Sequence, residues 1–363
     1  MSRVAVVGGG LAGFAAYLTL RHGGIEDVVV FDPAGGDPAA AWRRRAKSIR
    51  QRRMRSESDG HCLPTSFPGL AVRAALRRRD PRPLLASVCD RYHPSVAEFL
   101  QHVEELRTAS GWDDALVPTR VERIRAVEGG FRLDGGHLFQ HVLVAAGHPG
   151  LNLPEEIADD PRTVHAYEPH EYADDVVVVG AGMAAATEWL NALAAGARVT
   201  SVRRHEPARR PLNVPRPLFS RRGLENFHAA GPSERELFLA RILEPSYPPG
   251  RDWDEPLERA GRRFRVATEL NGAEQLICAT GFKRGFRHNP LLAQLIDEHE
   301  LETYGSWIAL AADCTVPALT DGERTLALSG VAAQWAYPAA DTLVGAKYAA
   351  RGFLRRVKAC PTH

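Results

Sequence analysis

The chain has 363 residues, of which 44% are hydrophobic and 25% are charged. This composition is typical of a folded globular protein with one large domain or two ordinary ones, and it excludes a disordered chain. The formal net charge of +2 gives no reason to expect nucleic acid or an anionic membrane as a partner. No apolar run reaches the about 18–20 residues of a membrane span, and no charged leader with a cleavage site precedes the first strand, so we expect a cytoplasmic protein.

A strand, a glycine turn and a helix open the chain. Residues 4–7 form a short continuous apolar run, as expected of a buried strand in a parallel sheet. They lead into Gly8, Gly10 and Gly13, spaced as G-x-G-x-x-G, and then into a helix and a second apolar strand. In such a unit the helix N-terminus offers N–H groups and a partial positive charge to a pyrophosphate. The alternative interpretation is a structural turn that binds nothing.

An acidic residue ends the second strand of this unit. Asp32 follows Gly8 by 24 residues, and a carboxylate at that distance accepts hydrogen bonds from the ribose hydroxyls of an adenosine. The first unit is therefore predicted to bind a nucleotide with a free 2′-hydroxyl.

The middle of the chain predicts a mixture of helix, loop and short strands. An Arg-rich stretch at 42–55 precedes a loop rich in Ser, Pro and Gly at 56–69, and apolar spacing predicts a helix over 94–109. Short alternating segments with glycine pairs predict antiparallel strands over 117–146. Prolines then cluster from 149 to 169, as in a crossing between domains.

The strand, turn and helix pattern recurs more than 160 residues later. Residues 176–179 lead into Gly180 and Gly182, with Ala185 in the third position, which the pattern tolerates. Here the second strand ends in Arg203 and Arg204 instead of an acid. Guanidinium groups bind a 2′-phosphate bidentately, so the second unit is predicted to prefer NADPH to NADH. The alternative is that both arginines are solvated surface charges.

Cysteine usage excludes several kinds of chemistry. The five cysteines are odd in number and contain no Cys-x-x-Cys pair, which argues against a disulfide framework, a zinc site and a dithiol redox centre. No spacing typical of a catalytic triad or of a metal ligand set is present, so we expect no metal. The cysteines are Cys62, Cys89, Cys278, Cys314 and Cys360.

Two more buried strands end in a small residue followed by glycine. One ends at Ala146 and Gly147, the other at Thr280 and Gly281. Together with the two glycine turns, they resemble the flavoprotein superfamily with two dinucleotide-binding domains. More narrowly, the chain resembles the class B flavin-dependent monooxygenases, which include N-hydroxylating, flavin-containing and Baeyer-Villiger enzymes, although the full fingerprint of the last two branches is absent.

The resemblance implies an α/β fold with two Rossmann-like dinucleotide-binding domains, the NADPH domain inserted into the FAD domain. The expected FAD domain covers residues 1–160 and 286–363, and the expected NADPH domain covers 161–285. The implied cofactors are FAD and NADPH. Trp42, which follows the Gly35-Gly36 pair after Asp32, is an additional expected cofactor-binding residue.

The C-terminal part is expected to return to the flavin. A strand ends at Gly330, and a helix is predicted from Asp341 to residue 357. In the superfamily such a helix points its N-terminus at the flavin pyrimidine, where its partial positive charge stabilises the reduced ring. Asp341 and Thr342 are therefore predicted contacts, although Asp341 is explained equally well as a plain N-cap and Gln334 as loop packing.

The loop at 54–68 provides the remaining catalytic candidate. Relatives place residues of this region over the flavin, and His61 lies within it. His61 and Gln334 are weak candidates for orienting substrate, and a surface loop histidine is the simpler interpretation of the first. The catalytic side chains are otherwise unknown.

The predicted function is insertion of one oxygen atom from O2 into a small-molecule substrate, at nitrogen or sulfur, through a flavin hydroperoxide formed after reduction by NADPH. The alternative within the enzyme class is an NAD(P)H-dependent flavoprotein reductase that passes electrons to a small acceptor or a partner protein. A scaffold protein with purely structural nucleotides is a further alternative. An oligomer is possible.

Overall fold

The protein is described from a computed structural model that covers residues 4–89, 92–212, 214–270 and 272–360. The strands are β1 (Val4–Val7), β2 (Val28–Phe31), β3 (Leu116–Val117), β4 (Ile124–Val127), β5 (Gly130–Leu133), β6 (Leu138–Phe139), β7 (His141–Val144), β8 (Thr163–His165), β9 (Asp175–Val179), β10 (Arg198–Val202), β11 (Ala208–Arg209), β12 (Ser246–Tyr247), β13 (Phe264–Ala267), β14 (Gln275–Cys278), β15 (Thr303–Tyr304), β16 (Trp307–Ile308) and β17 (Thr325–Leu328).

The α-helices lie mostly between these strands. They are α1 (Leu11–His22), α2 (Ala40–Ser48), α3 (Leu70–Arg78), α4 (Arg82–Cys89), α5 (Val96–Ser110), α6 (Trp112–Ala115), α7 (Glu155–Ala158), α8 (Met183–Ala194), α9 (Arg221–Ala229), α10 (Pro232–Ile242), α11 (Arg251–Ala260), α12 (Pro290–His299) and α13 (Leu343–Ala359). None of the helices in the described ranges combines the length and apolarity needed to cross a membrane.

Two five-stranded parallel sheets organise the molecule. The first has the order β17-β7-β1-β2-β3, and the second has the order β13-β10-β9-β14-β8. The second sheet is built entirely from residues 163–278, while strands of the first sheet come both before and after it. β1 is buried along its whole length, as its unbroken apolar sequence predicts.

The strands predicted over 117–146 are only partly antiparallel. β4, β5 and β6 form a three-stranded antiparallel sheet, as expected. Residues 116–117 and 141–144 instead join the first parallel sheet, which corrects the prediction. The run at 141–144 is buried on every residue, because it lies between two parallel strands inside the core.

The helix predicted over 94–109 is α5, and its start is set by a capping box. The Ser95 hydroxyl accepts a hydrogen bond from the Glu98 N–H at 3.1 Å, and the Glu98 carboxylate accepts one from the Ser95 N–H at 2.9 Å. This reciprocal pair satisfies two N–H groups that a helix start otherwise leaves without partners, so the helix begins at Val96.

Helices α9 and α10 lie in sequence between strands of the second sheet but pack against the first. Leu224 and Phe227 of α9, with Leu239 of α10, belong to the same hydrophobic cluster as Trp335 and residues of β1 and β7. The segment 161–285, expected to bind NADPH, therefore includes two helices whose apolar side chains belong to the hydrophobic core of the first sheet.

Candidate dinucleotide-binding sites

The first glycine turn lies at the carboxyl end of β1, where the backbone passes closest to β7. Gly8 has φ of +109°, and a Cβ there would lie 2.2 Å from the carbonyl oxygen of Ala145. A Cβ on Gly13 would lie 1.8 Å from the carbonyl oxygen of Gly8. Around Gly10, by contrast, no heavy atom of the described residues lies within 4 Å of a Cβ position. The fold itself therefore requires two of these glycines, and the third leaves open space.

Helix α1 begins at that open space. Its N-cap residue is Gly10, no side chain caps it, and its first turn contains no acidic residue. The first N–H groups of a helix have no partner within the helix and present a partial positive charge. The space before α1 therefore suits a phosphate group, as the spacing predicts.

Asp32 follows β2 and closes the turn. Its carboxylate accepts hydrogen bonds from the N–H of Gly9 at 2.6 Å and from the N–H of Ala34 at 2.8 Å. A carboxylate offers about four acceptor positions, so these two bonds leave capacity for ribose hydroxyls. Asp32 therefore fixes the turn in addition to its predicted role.

The second glycine turn repeats the first in detail. Gly180 has φ of +130°, and a Cβ there would lie 2.6 Å from the carbonyl oxygen of Ala279 on the neighbouring strand. Gly182 is the uncapped N-cap of α8, and no described heavy atom lies within 4 Å of its Cβ position. Ala185 is fully buried in the first turn of α8. The second turn also leaves open space at a helix N-terminus.

Arg203 occupies the position in the second unit that Asp32 occupies in the first. Each donates its backbone N–H to the next strand of its sheet, Asp32 to Val117 and Arg203 to Ala267. The Arg203 side chain pairs with Glu206 at 2.5 Å and lies over the Trp189 ring at 5.7 Å. Arg204 is exposed. The two guanidinium groups therefore differ, since one is already paired and the other faces water.

The two strand ends with small residues lie side by side where the chain crosses between the sheets. Gly147 and Gly281 have positive φ, at +70° and +77°. Gly281 accepts a hydrogen bond from the N–H of Asn152 at 3.0 Å, and the Thr280 hydroxyl donates to the Asn152 carbonyl. Ala146 is half-buried beside this crossing. The crossing is therefore a hydrogen-bonded pair of chain segments.

An aromatic stack reinforces the crossing, and sequence reasoning missed it. Phe282 stacks on His148, with ring centroids 4.1 Å apart, and on Tyr167, with centroids 5.1 Å apart. The Arg45 guanidinium lies 4.5 Å from the centre of the Phe282 ring. Burial, together with Arg45 and Arg284, lowers the pKa of His148 to about 4, so this ring is neutral at physiological pH.

Helix α13 begins one residue later than an Asp341 cap would allow. The Thr342 hydroxyl accepts a hydrogen bond from the N–H of Gly345 at 3.1 Å, so Thr342 is the N-cap and the plain-cap interpretation of Asp341 is wrong. Threonine at this position satisfies an N–H of the first helical turn. At the end of β17, Gly330 has φ of +67°, and its Cβ position lies 3.6 Å from the Cβ of Ala12 in α1. Helices α1 and α13 pack side by side, and a Cβ on Gly23 at the end of α1 would lie 2.6 Å from the Leu354 side chain of α13, so the start of α13 lies near the first turn.

Asp341 and Arg284 are two exposed residues of opposite charge that influence each other's titration. Desolvation raises the pKa of the Asp341 carboxyl, and Arg284 acts in the opposite direction. Desolvation lowers the pKa of Arg284, and Asp341 acts in the opposite direction. An acid just before the N-cap of α13 and a base that follows β14 therefore lie close enough to interact electrostatically.

The weak catalytic candidates are both buried. His61 has no exposed surface, so the interpretation as a surface loop histidine is wrong. Burial and Lys347 lower the pKa of His61 to about 4, and its ring lies 5.8 Å from that of His102. Gln334 is 4% exposed. His61 is shielded inside the protein because the 54–68 loop folds inward.

Trp42 packs against the hydrophobic core around α1. Its ring meets that of Phe99 edge-on with centroids 5.2 Å apart, and it is half-buried among the residues around α1. The contact with Phe99 accounts for Trp42 as a packing residue. A contact between Trp42 and a cofactor stays a prediction.

Arg55 joins the 54–68 loop to the other part of the chain, which no sequence signal indicated. Its guanidinium donates to the carbonyl of Arg210 at 2.9 Å, to the carbonyl of Ser246 at 3.2 Å and to the carbonyl of Pro211 at 3.4 Å. These acceptors lie beside β11 and β12, more than 150 residues away in sequence. Burial and Arg210 lower the pKa of Arg55 to about 10, so it keeps its charge at neutral pH.

Cys62, Cys278 and Cys314 are buried and form no disulfide. Cys360 is also buried, and the side chain of Cys89 lies outside the described part. Burial raises the pKa of the Cys62 thiol to about 12 and that of Cys278 to about 11. A thiol that stays protonated is a poor nucleophile.

Comparisons with solved structures support the architecture along the full chain, although no family model and no curated protein matches the sequence. An ornithine N-hydroxylase from Kutzneria sp. 744 is 13% identical with a TM-score of 0.76, covering 99% of this chain and 99% of that chain. An L-lysine 6-monooxygenase from Pseudomonas syringae is 14% identical with a TM-score of 0.69, covering 98% of this chain and 100% of that one. A bacillithiol disulfide reductase from Bacillus cereus is 15% identical with a TM-score of 0.58, covering 98% of each chain.

At such low identity a structural match establishes the fold and leaves the reaction open. Monooxygenases and a reductase share this architecture, so the fold alone does not decide between them. The chain has the α/β fold of these solved structures, with two parallel sheets, which confirms the predicted fold class.

Proposed function

We propose that this protein is an FAD-dependent, NADPH-consuming monooxygenase that inserts one oxygen atom from O2 into a small molecule. The observation that supports this most is the pair of glycine turns. Each lies at the carboxyl edge of a parallel sheet, and Gly10 and Gly182 each leave open space before an uncapped helix. The ligands of open α/β sheets bind at that edge.

The first turn is the proposed FAD site, in a domain of residues 1–160 and 286–363. The N-terminus of α1 would hold the pyrophosphate, and Asp32 has lone pairs left for the ribose hydroxyls. The second turn is the proposed NADPH site, in a domain of 161–285. There Arg204, with Arg203, would bind the 2′-phosphate.

FAD, when bound, would supply the redox chemistry, accepting hydride from NADPH and activating O2. The task of the chain is to bring the two reactive rings together and to exclude water. The loop that precedes α13 is held for this purpose by α9 and α10. The ring nitrogen of His228 lies 2.6 Å from the Ala336 carbonyl oxygen, and the Arg235 guanidinium lies 4.3 Å from the centre of the Trp335 ring.

The proposed substrate is a small molecule with a nucleophilic nitrogen or sulfur, and an amine is the first choice. Arg284 and Asp341 are exposed, carry opposite charges and interact electrostatically, which suits a zwitterionic amine. The ornithine and lysine hydroxylases with the same fold are named for substrates of this kind.

The test is stoichiometry over a panel of amines and thioethers. The purified protein is reduced with NADPH under anaerobic conditions and then oxygenated with each compound present. A monooxygenase consumes NADPH and O2 in equal amounts and yields one equivalent of oxygenated product from at least one compound. NADPH oxidation with no oxygenated product from any compound would contradict the proposal.

A flavoprotein reductase is the second candidate, because a disulfide reductase shares the fold. Buried cysteines with raised thiol pKa values weigh against its dithiol form. Simple electron transfer is separated from oxygenation by supplying an artificial acceptor without O2. A reductase would then oxidise NADPH as fast as in air, whereas the proposed monooxygenase would depend on O2.

A further inference from the structure

Lys347 is an unusual residue in this chain. Only four of the 46 basic residues are lysines, and Lys347 is 1% exposed within α13. A buried ammonium group has lost most of its hydration, so it normally requires a carboxylate partner.

Lys347 has no such partner in the described part of the chain. Its Nζ donates to the backbone carbonyl of Asp59 at 2.9 Å, and no described carboxylate lies within ion-pair distance. Burial lowers its pKa to about 8, while the Asp59 carboxylate acts in the opposite direction. The group is therefore mostly charged at neutral pH and largely uncompensated.

The side chains around Lys347 include two neutral histidines and a paired arginine, so Lys347 carries the main charge of this buried region. Burial and Lys347 lower the pKa of His61 to about 4, and burial and Arg73 lower that of His102 to about 3, so both rings are neutral. Arg73 pairs with Glu105. The other titratable neighbours are Asp59 and Cys62 in the 54–68 loop and Arg351 on α13 itself.

The position of Lys347 relates it to the first nucleotide site. It lies five residues after the N-cap Thr342, or about 7.5 Å along the helix axis. Helices α1 and α13 both follow strands of the first parallel sheet and pack side by side, so α13 starts near the carboxyl edge of that sheet. The Lys347 ammonium is therefore buried near the carboxyl edge of the first sheet, where the proposed FAD turn also lies.

We propose that Lys347 is the fixed positive charge that stabilises the reduced, anionic form of the flavin bound at the first turn, adding to the partial charge of the α13 N-terminus. This inference rests on the proposed function. Hydride transfer from NADPH gives NADP⁺ and leaves one additional negative charge on the flavin ring. A buried cation is weakly screened, so it favours the reduced ring through space. Reduction also raises the affinity of Lys347 for its proton, so one more proton is taken up at alkaline pH.

The experiment is a redox titration of the holoprotein across pH for wild type, Lys347→Met and Lys347→Arg. In Lys347→Met the reduced flavin is destabilised at least about tenfold, which is about 30 mV more negative for a two-electron couple. In Lys347→Arg the potential at neutral pH stays near that of wild type. The wild-type potential falls more steeply with pH above about 8, and this extra slope is absent from Lys347→Arg, because arginine does not titrate there.

Arg351→Met is the matched control, since it removes a cation one turn further along α13 whose exposed side chain is screened by water. It should move the potential far less than Lys347→Met. An unchanged potential in a yellow Lys347→Met protein would show that Lys347 only supports the loop. If Lys347→Met does not fold, a wild-type pH slope equal to that of Lys347→Arg overturns the inference. A colourless wild type would instead overturn the proposed function together with it.

Discussion

The two glycine turns share one backbone design and differ in the charge that follows it. Gly8 and Gly180 pass within van der Waals contact of Ala145 and Ala279, and in each unit the first glycine donates its N–H to the end of the next strand. The units differ after this point. The Asp32 carboxylate accepts a hydrogen bond from the Gly9 N–H of its own turn, whereas the Arg203 side chain pairs with Glu206. The fold thus supplies two similar turns, and under the proposed function the side chain at the strand end would assign a different nucleotide to each.

The largest effects are expected from substitutions at the glycines of the first turn. Gly10→Val should fold with the thermal stability of the flavin-free protein yet lose FAD, because the Cβ position is open and the side chain fills the phosphate space. Gly8→Val should instead lower stability, by about 1–3 kcal/mol from the positive φ alone. Thermal unfolding and flavin absorbance per protein measure both effects. Stoichiometric FAD in Gly10→Val would contradict the assignment of the first turn.

The same change in the second turn should separate the two sites. Gly182→Val should keep FAD and slow flavin reduction at limiting NADPH by about a hundredfold, or about 2.7 kcal/mol, because its side chain enters the second phosphate space. Stopped-flow reduction under anaerobic conditions gives the rate. Loss of FAD from this variant would mean that the two turns do not act independently.

The two arginines at the end of β10 should set the preference of the second turn for NADPH over NADH. Arg203→Ala with Arg204→Ala should raise the apparent constant for NADPH at least about tenfold and leave NADH nearly unchanged, since a charge-assisted hydrogen bond contributes about 1.5–3 kcal/mol. Arg204→Ala alone should cause most of the loss, because Arg203 is already paired with Glu206. Arg198→Ala, at the other end of β10, is the control. Equal losses for both coenzymes would show that these arginines support the fold.

The smallest effect is expected at the cysteines. Replacing all five should leave the rate of flavin reduction within about twofold, or about 0.4 kcal/mol, because the buried thiols of Cys62 and Cys278 stay protonated. A Cys-free protein that folds and binds FAD but no longer turns over would favour thiol chemistry and the reductase.

The features that the sequence predicted are local ones. The glycine turns are recognised from their local spacing between a strand and a helix, and the apolar run of β1 identifies a buried strand without tertiary information. The errors arose where distant segments meet. His61 is buried because the 54–68 loop packs against α13, and the acceptors of Arg55 lie up to 191 residues away.

Tertiary packing also determines where α9 and α10 lie and at which residue α13 begins. α9 and α10 share the hydrophobic cluster of the first sheet and contact the loop at 335–336, which sequence order does not indicate. Asp341 and Thr342 are both common N-caps, and only the hydrogen bond from Gly345 distinguishes them. The scarcity of lysine was visible in the sequence, but the burial of Lys347 was not.

In the proposed function, electrons from NADPH at the second turn activate O2 at the first, and one oxygen atom reaches the substrate. Isotope labelling tests it most directly. The protein, reduced with NADPH, is exposed to ¹⁸O₂ in the presence of the amine and thioether panel, and the products are weighed by mass spectrometry. The proposed function predicts one ¹⁸O atom in the product of an accepted substrate. NADPH oxidation in the presence of O2 that labels no panel compound, together with equally fast oxidation by an acceptor without O2, would contradict it.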